Sequence, residues 1–235
     1  MAALFVAAPA CSQTAPERPA LGLLGTIPIF WGEAAGPAEA LAGSADHWAR
    51  PQLEQTFALR PLDVLDAASL AGLERLLLAQ PRALSPAENV ALDAWVRGGG
   101  HLLLFADPLL TGESRFAIGD RRRPQDVALL SPILARWGLR LTFAEDQQQG
   151  FSVRDVAGIP VPLNLPGRFE GDGSCALAGD GVLARCRIGA GEVTVLADAA
   201  LLDLHERHPA APAALERLTA AAFAHGPAQD RNYPP

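Results

Sequence analysis

Three short, unbroken apolar runs limit most strongly how this chain can fold. They are RLLLA at 75–79, HLLLFA at 101–106 and EVTVLA at 192–197. A strand with one wet face alternates apolar and polar residues, whereas an unbroken run is typical of a strand buried on both faces of a parallel sheet. Parallel neighbours need crossover connections, which are usually helices. The runs therefore predict an α/β domain with helices on both faces of its sheet.

The helix between the first two runs has recognisable ends. Ser85-Pro86-Ala87-Glu88 predicts an N-cap, a proline at the first helical position and a capping box. Gly98-Gly99-Gly100 predicts the end of this helix, because glycine accepts the left-handed conformation that follows many helices. Further helices are predicted around 45–55 and over 126–137 and 210–224, with a helical turn over 67–73.

The remaining segments predict further strands over 21–30, 57–65 and 139–143, a hairpin over 175–188, and an irregular or edge-like stretch over 146–166. Together the elements predict a three-layer α/β fold with a mostly parallel sheet and an antiparallel hairpin near the C-terminal part. The expected organisation is one domain over 20–225, preceded by a leader and linker over 1–19 and followed by a polar tail over 226–235.

Composition narrows the range of partners. The chain has 235 residues, of which 49% are hydrophobic, which is enough for one sizeable core. Its net charge is -7 and no basic face is visible in the sequence, so nucleic acid is not an expected partner.

The first residues resemble the end of a bacterial secretory signal. Ala2–Ala10 is apolar and rich in small residues, and Cys11 follows it where a lipoprotein carries its lipid-accepting cysteine. An apolar leader with an unmodified thiol is the alternative. No run reaches the ~18 apolar residues of a spanning helix, so we expect membrane attachment only through the N-terminus. The predicted location is the periplasm, as an anchored lipoprotein, with the cytoplasm as the alternative.

Cys175 and Cys186 flank the turn signal Asp180-Gly181. A turn there pairs 179 with 182, and therefore 175 with 186, as a hydrogen-bonded pair. A disulfide between these two cysteines would indicate an oxidising compartment. Two buried reduced thiols remain the alternative, because buried free cysteine is common.

Asp107 and Asp198 follow two of the apolar runs, in FADP and LADA. If those strands are parallel neighbours, both carboxylates lie at the carboxyl edge of the sheet, where ligands gather in α/β proteins. Paired acids there can hold a metal or transfer protons. Capping is the favoured role, because aspartate is a preferred N-cap and Asp107-Pro108 is a turn signal.

Other polar motifs give weaker signals. His205 and His208 are three residues apart, whereas the metalloprotease helix needs a spacing of four, so no metal site is predicted. Arg121, Arg122 and Arg123 could bind an anion or an acidic partner, although flanking acids favour a solvated loop. No hydrolase elbow and no phosphate-binding glycine pattern occurs, and no cofactor is predicted.

Three segments together resemble a known family: 76–108, 129–141 and 187–203. They contain a helix ending in glycines, a strand ending in Asp-Pro, a Trp-Gly-Leu helix exit, and a Gly-x-Gly-x-Val strand ending in Asp. This order resembles the extracytoplasmic domain of the GldG type, an uncharacterised ABC-transport-system auxiliary domain. The resemblance implies a fold similar to class I glutamine amidotransferases, and so flavodoxin-like.

The resemblance also implies a role without catalysis. An amidotransferase carries its nucleophilic cysteine on a sharp turn after a central strand, and the matching turn here, Ala106-Asp107-Pro108, has no nucleophile. We therefore expect an accessory binding module in the envelope, for a protein partner such as ABC transporter subunits or for a glycan or small ligand. The expected binding edge comprises Asp107, Pro108, Asp198 and the arginines at 121–123. The rival is an enzyme, a metal-assisted hydrolase or an amidotransferase relative, that uses the same acids.

Overall fold

The computed structural model describes residues 18–34, 36–41 and 47–224. The predicted leader, Cys11 and the polar tail lie outside these residues. Within them the helices are α1 (Pro37–Leu41), α2 (Ala49–Thr56), α3 (Ala67–Leu70), α4 (Pro86–Arg97), α5 (Ser131–Arg136) and α6 (Ala211–Phe223). The strands are β1 (Ala20–Gly25), β2 (Ala58–Pro61), β3 (Arg75–Ala79), β4 (His101–Phe105), β5 (Leu139–Thr142), β6 (Ser152–Val156), β7 (Ile159–Leu163), β8 (Arg168–Gly171), β9 (Cys175–Ala178), β10 (Leu183–Ile188) and β11 (Gly191–Leu196).

The main sheet has the strand order β2-β1-β3-β4-β11-β10-β9. Its first five strands are parallel, and β10 and β9 extend it in antiparallel fashion. The three apolar runs form β3, β4 and β11 side by side at the centre, and strand β2, which contains Pro61, lies at an edge. The α/β class, the mainly parallel sheet and the antiparallel extension near the C-terminal part are confirmed.

Alternate side chains of the central strands feed two separate cores. Leu77 and Leu103 pack with residues of α2 and α6 on one face. Leu76 and Leu102 pack with residues of α3, α4 and α5 on the other face. The sheet is therefore covered by helices on both sides, as unbroken apolar strands require.

Helix α4 begins as its sequence predicts. The Ser85 hydroxyl accepts a hydrogen bond from the Glu88 backbone N–H at 3.2 Å, and the Glu88 carboxylate accepts one from the Ser85 N–H at 2.9 Å. Glu88 is buried and also binds the Arg82 guanidinium at 2.7 Å. This guanidinium lowers the pKa of the Glu88 carboxyl to about 2.

We expect Glu88→Gln to lower the free energy of unfolding by about 1–3 kcal/mol at pH 7, because the variant removes charge-assisted hydrogen bonds. The folded-state pKa of Glu88 lies below its usual value of 4.5, so its contribution is present above pH 4.5 and lost as the pH falls towards 2. Urea unfolding at pH 7 and pH 3 measures both effects. The exposed Glu74→Gln is the matched control, and equal losses in the two variants would contradict the prediction.

Two elements are shorter in the structure than the sequence predicts. The strand predicted over 21–30 ends at Gly25, where the chain turns so that the Thr26 N–H reaches the Gln80 carbonyl. The helix predicted over 126–137 begins only at Ser131, because the Ala128 N–H is bonded to the Asp107 carbonyl at the end of β4. Both differences arise from tertiary contacts at the carboxyl edge.

The stretch predicted as irregular or edge-like over 146–166 contains the hairpin β6–β7, a two-stranded ribbon outside the main sheet. Pro160 and Pro162 conceal the second strand, because proline is unusual within a sheet. Val161 and Leu163 nevertheless pack into the core. Strand β5 also departs from expectation, because it pairs with β8 in a separate ribbon and does not join the main sheet.

The predicted pairing of residue 175 with residue 186 is present in the hairpin β9–β10, and the two cysteines are joined by a disulfide in the structure. Their Cα atoms are 4.4 Å apart, a spacing typical of a non-hydrogen-bonded pair. The expected hydrogen-bonded pair is absent because the turn occupies four residues, 179–182, which changes the phase of the ladder.

Candidate functional site

Asp107 and Asp198 lie side by side at the carboxyl edge of the sheet. Each follows its strand by two residues, and the strand ends Phe105 and Leu196 are register partners. Both aspartate side chains are completely buried. The structure therefore brings together the two acids that the sequence singled out.

Both carboxylate oxygens of Asp107 accept hydrogen bonds from backbone N–H groups. Its Oδ1 accepts a hydrogen bond from Leu109 at 2.8 Å, which closes the turn after β4. Its Oδ2 accepts one from Ala199 at 2.9 Å, across the boundary to the segment after β11. Asp107 thus joins two neighbouring strand ends.

Both carboxylate oxygens of Asp198 also accept hydrogen bonds from backbone N–H groups. Its Oδ1 accepts a hydrogen bond from the Ala200 N–H at 2.7 Å, next to the short 3-10 turn Ala200–Leu202. Its Oδ2 accepts one from the Asn164 N–H at 2.8 Å, directly after β7. Each aspartate accepts the N–H of the residue two positions on, which closes an Asx turn, and accepts a second N–H from another segment. The expected N-cap role is absent, because the N-cap of the 3-10 turn is Ala199 and has no side-chain cap.

The buried environment changes the acidity of both groups. Burial raises the pKa of Asp107 to about 6, against the opposing effect of its two backbone hydrogen bonds. Burial, followed by the charge of Asp107, raises the pKa of Asp198 well above its usual value. Arg154 on β6 acts in the opposite direction on Asp198. The pair therefore disfavours double ionisation.

Gln80 supports the acid pair, and sequence reasoning missed it. Its Oε1 accepts a hydrogen bond from the Asp107 N–H at 2.8 Å, and its Nε2 donates to the carbonyls of Asp107 and Gln125 at 2.9 Å. The residue is fully buried and has a φ of 47°. The sequence signal that could have identified Gln80 is its position as a polar residue directly after the apolar run RLLLA.

Asn164 fastens two more segments to the same edge. Its side-chain oxygen accepts a hydrogen bond from the Gly150 N–H, and its side-chain nitrogen donates to the Thr111 hydroxyl, both at 2.9 Å. Through Asn164, Asp198 holds both the hairpin β6–β7 and the loop that follows β4.

Glu33 is a buried acid at this edge that sequence reasoning also missed. Its carboxylate accepts hydrogen bonds from the Arg115 N–H at 2.8 Å and from the His205 ring at 3.2 Å. Burial opposes ionisation, but hydrogen bonds from Ser114, Arg115 and His205 outweigh it, and the pKa of Glu33 is lowered. His205 thus forms a hydrogen bond with Glu33, and His208 accepts a hydrogen bond from Ala210. In the described ranges no three His, Cys, Asp or Glu side chains converge as a metal site would require.

The arginines at 121–123 lie on the loop after β4. Arg122 pairs with Asp120 at 2.7 Å and Arg123 pairs with Asp126 at 3.3 Å. Arg121 is exposed. Their charges are thus largely balanced within the loop, as the flanking acids suggested.

Three large apolar side chains are exposed near this edge: Trp31 at 60%, Leu41 at 87% and Ile118 at 88% of their full area. Arg115 connects their segments, because its guanidinium binds the Glu33 carbonyl at 2.9 Å and the Glu39 carboxylate at 2.8 Å. Trp31, Leu41 and Ile118 lie two or three residues along the chain from these connected positions, and we call the three residues together the apolar patch.

Two clefts lie near the sheet without containing the acid pair. One of about 700 Å³ is at the opposite, amino edge and is lined by Trp95, Gly100 and Glu74. Another of about 560 Å³ lies between β5, β6 and β8 and is lined by Arg154 and Arg168. Neither lining includes Asp107 or Asp198.

The segments that lead to the carboxyl edge at Asp107 also match a known protein family. A family model described as an ABC-type uncharacterized transport system matches residues 36–154, which include helix α4, strand β4 and Asp107.

The chain belongs to this family. Membership confirms the resemblance to the uncharacterised ABC-transport auxiliary domain and identifies the chain as an auxiliary component of an ABC-type transport system. In the described part of this family member, no helix has both the length and the apolar character needed to cross a membrane.

Comparison with solved structures shows the fold only. The mmIFT52 N-terminal domain is 13% identical, with a TM-score of 0.54 over 88% of this chain and 98% of that one. A β-galactosidase from Rahnella sp. R3 is 14% identical, with a TM-score of 0.49 over 87% of this chain and 31% of the enzyme. The exo-β-1,4-mannosidase Op5Man5 from Opitutaceae bacterium strain TAV5 is 15% identical, with a TM-score of 0.48 over 88% and 34%. The chain thus spans about a third of either enzyme. A comparison with curated proteins gave no match.

Proposed function

We propose that this family member is a non-catalytic, GldG-type binding module with an amidotransferase-like, flavodoxin-like fold, and that it serves its ABC-type transport system from the envelope side. Its partner is a protein of the envelope, such as another transporter subunit, and nucleic acid is not a partner. Family membership indicates that the chain is part of an ABC-type transport system. The geometry of the carboxyl edge is the argument for a binding role without catalysis.

The state of the acid pair is the observation that carries this proposal. A general acid or base must reach its substrate within hydrogen-bond distance. Asp107 and Asp198 have no exposed surface, and each of their four carboxyl oxygens accepts a backbone N–H. Carboxyl groups bonded in this way hold the segments that follow β4 and β11 in place. They leave no open position at which a substrate could react. This arrangement favours the binding module over the rival hydrolase or amidotransferase.

The apolar patch supports the choice of a protein partner. A single exposed apolar residue needs no explanation, but several grouped on connected loops indicate an interaction surface. The patch and the loop carrying Pro108 and the arginines at 121–123 share this edge. The partner would therefore meet exposed apolar and charged side chains on loops of the same edge, and protein interfaces combine both kinds of group.

The envelope location is part of the proposal. The disulfide between Cys175 and Cys186 is compatible with an oxidising compartment, and lipid at Cys11 would provide attachment at the N-terminus. Intact mass of protein from the membrane fraction and non-reducing peptide mapping test both points. An unmodified Met1 or free thiols at 175 and 186 would favour the cytoplasm.

Photo-crosslinking in the native cell tests the proposed interface. A photoreactive amino acid replaces Ile118, and the matched control replaces Leu177, an exposed aliphatic residue on β9. We expect position 118 to crosslink the membrane subunit of an ABC transporter and position 177 not to do so. Equal crosslinking from both positions, or none from 118, would contradict the proposal.

A further inference from the structure

Strand β5 has an open edge. In the described ranges it pairs only with β8, in a two-stranded sheet. Two hydrogen bonds fix the phase of this ladder: the Asp172 N–H donates to the Gly138 carbonyl directly before β5, and the Phe169 N–H donates away from β5, to the Gly181 carbonyl. Leu141 lies opposite Phe169 and therefore belongs to a non-hydrogen-bonded pair. Its backbone N–H and carbonyl point away from β8.

The same alternation applies to Leu139, which lies opposite Gly171. Within the part of the chain that the structure describes, neither Leu139 nor Leu141 forms a backbone–backbone hydrogen bond beyond the β5–β8 ladder. Two other strands contain prolines, which cannot donate to a further strand: Pro61 in β2 and Pro162 in β7. Strand β5, with the sequence LRLT, contains none. Its open edge is therefore a template for pairing with another chain.

A groove of about 400 Å³ runs along this open edge. Residues 139–143 line it from both faces of the strand, and no residue of β8 belongs to the described lining, so the groove lies on the side away from β8. Its other walls come from α5 and from the two ends of the loop that follows β4: Pro108, Val127, Ala128, Ser131, Leu134 and Ala135. The volume lies within the range of about 300–1,000 Å³ that binding pockets occupy.

The wall of the groove is fastened to the carboxyl edge of the main sheet. The Ala128 N–H donates to the Asp107 carbonyl at 2.8 Å, and the Leu110 N–H donates to the Asp126 carbonyl at 2.9 Å. Pro108, which directly follows Asp107, belongs to the wall itself. The groove is thus continuous with the edge to which the proposed function assigns partner binding.

The chemistry of the groove specifies its occupant. The outward N–H and carbonyl groups of a strand edge are matched by the backbone of another extended chain. The lining is mostly apolar, and Val127 is 42% exposed there, so the occupant needs apolar side chains at the alternate positions that face the groove. Arg140 is the one charged residue of the described lining. Its ion pair with Glu170 is exposed, so a carboxylate of the occupant can replace Glu170 at little cost.

We propose that β5 binds an extended segment of the transport-system partner by strand addition. The segment carries apolar residues at alternate positions and an acidic residue that reaches Arg140. This inference rests on the proposed function for the identity of the partner, whereas the pairing itself follows from the open edge and its groove. A second copy of this chain fits less well, because two antiparallel β5 strands centred on residue 140 place two arginines opposite each other.

A random heptapeptide phage library, selected on the full chain, tests the strand addition. We expect selected peptides to carry apolar residues at alternate positions and an acidic residue. In NMR hydrogen exchange, their binding should slow the Leu141 N–H, while the N–H groups of Arg140 and Thr142, already paired with β8, change little. Failure to select such peptides, unchanged exchange at Leu141, or a wild-type dimer that excludes the peptides would overturn the proposal.

A matched pair of variants isolates the backbone contribution. Leu141→Pro removes both the leucine side chain and the outward N–H, whereas Leu141→Ala removes the side chain and keeps the N–H. We expect Leu141→Pro to bind a selected peptide about tenfold more weakly than Leu141→Ala, since one hydrogen bond is lost and the proline ring projects into the groove. Equal affinities of the two variants would refute strand addition.

A second pair of variants keeps the test informative if Leu141→Pro folds poorly. Val127→Glu places a charge in the groove, and Val90→Glu places one at an exposed position of α4 outside it. We expect Val127→Glu to weaken peptide binding roughly tenfold, because a charge in an apolar contact is costly, and Val90→Glu to leave it unchanged. Equal affinities here would also contradict the proposal.

Photo-crosslinking from position 118 in the cell separates this proposal from the proposed function. We expect the crosslink to the membrane subunit to persist in Leu141→Ala and to be lost in Leu141→Pro. Equal crosslinks in both variants would refute strand addition and leave the proposed function standing. No crosslink from 118 in the wild type, together with peptide binding as expected, would refute the proposed function and leave strand addition standing.

Discussion

Gly191→Ala is expected to prevent the chain from folding to a stable state. A Cβ atom at this position would lie 2.1 Å from the carbonyl oxygen of Val96 and 2.3 Å from that of Gly100. Both are backbone atoms at the end of α4 and cannot rotate away. Strand β11 would have to move away from α4, and we expect a loss of more than about 4 kcal/mol in the free energy of unfolding.

The control for this substitution is Gly98, the C-cap residue of α4. Gly98 has a φ of -78°, and a Cβ there would meet carbonyl oxygens only at 3.4 Å. We expect Gly98→Ala to change stability by less than about 1 kcal/mol. Soluble yield and urea unfolding of both variants measure the difference. A folded Gly191→Ala variant with the stability of Gly98→Ala would show that the close packing of α4 on β11 is wrong.

Gln80→Ala is expected to cost about 2–4 kcal/mol of unfolding free energy. The variant leaves the buried Asp107 N–H and the Gln125 carbonyl without their partner, and each such loss costs about 1–3 kcal/mol. Alanine also keeps the unfavourable positive φ. Gln80→Gly loses the same hydrogen bonds but removes that strain, so it should be about 1 kcal/mol more stable than Gln80→Ala.

Chemical unfolding of both Gln80 variants beside the wild type measures these values. Gln55→Ala, at an exposed position on α2, is the matched control and should stay within about 0.5 kcal/mol of the wild type. If Gln80→Ala behaves like Gln55→Ala, the amide does not support Asp107. If alanine and glycine at 80 are equally stable, the strain argument fails.

The sequence predicts the parts of the fold that local physics determines. Ser85 and Glu88 cap α4 through contacts within one turn, and the unbroken apolar runs identify β3, β4 and β11 from burial alone. These features depend on near neighbours in the chain, and the structure contains them as predicted.

Long-range contacts explain what the sequence could not predict. Prolines conceal β7, whose place in the structure depends on packing against the core and on the bond from Asn164 to Asp198. Gln80 and Glu33 acquire their roles from partners far along the chain, such as Gln125 and His205. The acids at 107 and 198 were identified, but their burial and the hydrogen bonds that occupy them depend on loops whose paths were not predictable.

Complementation of a strain that lacks this chain tests the central claim most directly. The claim is that the carboxyl edge binds a partner and performs no chemistry. We predict that Asp107→Asn restores the transport phenotype at neutral pH, whereas Ile118→Asp, an exposed and structurally tolerant position, does not. Circular dichroism confirms that both variants are folded. Loss of the phenotype in a folded Asp107→Asn variant, together with full activity of Ile118→Asp, would contradict the account and favour an enzyme.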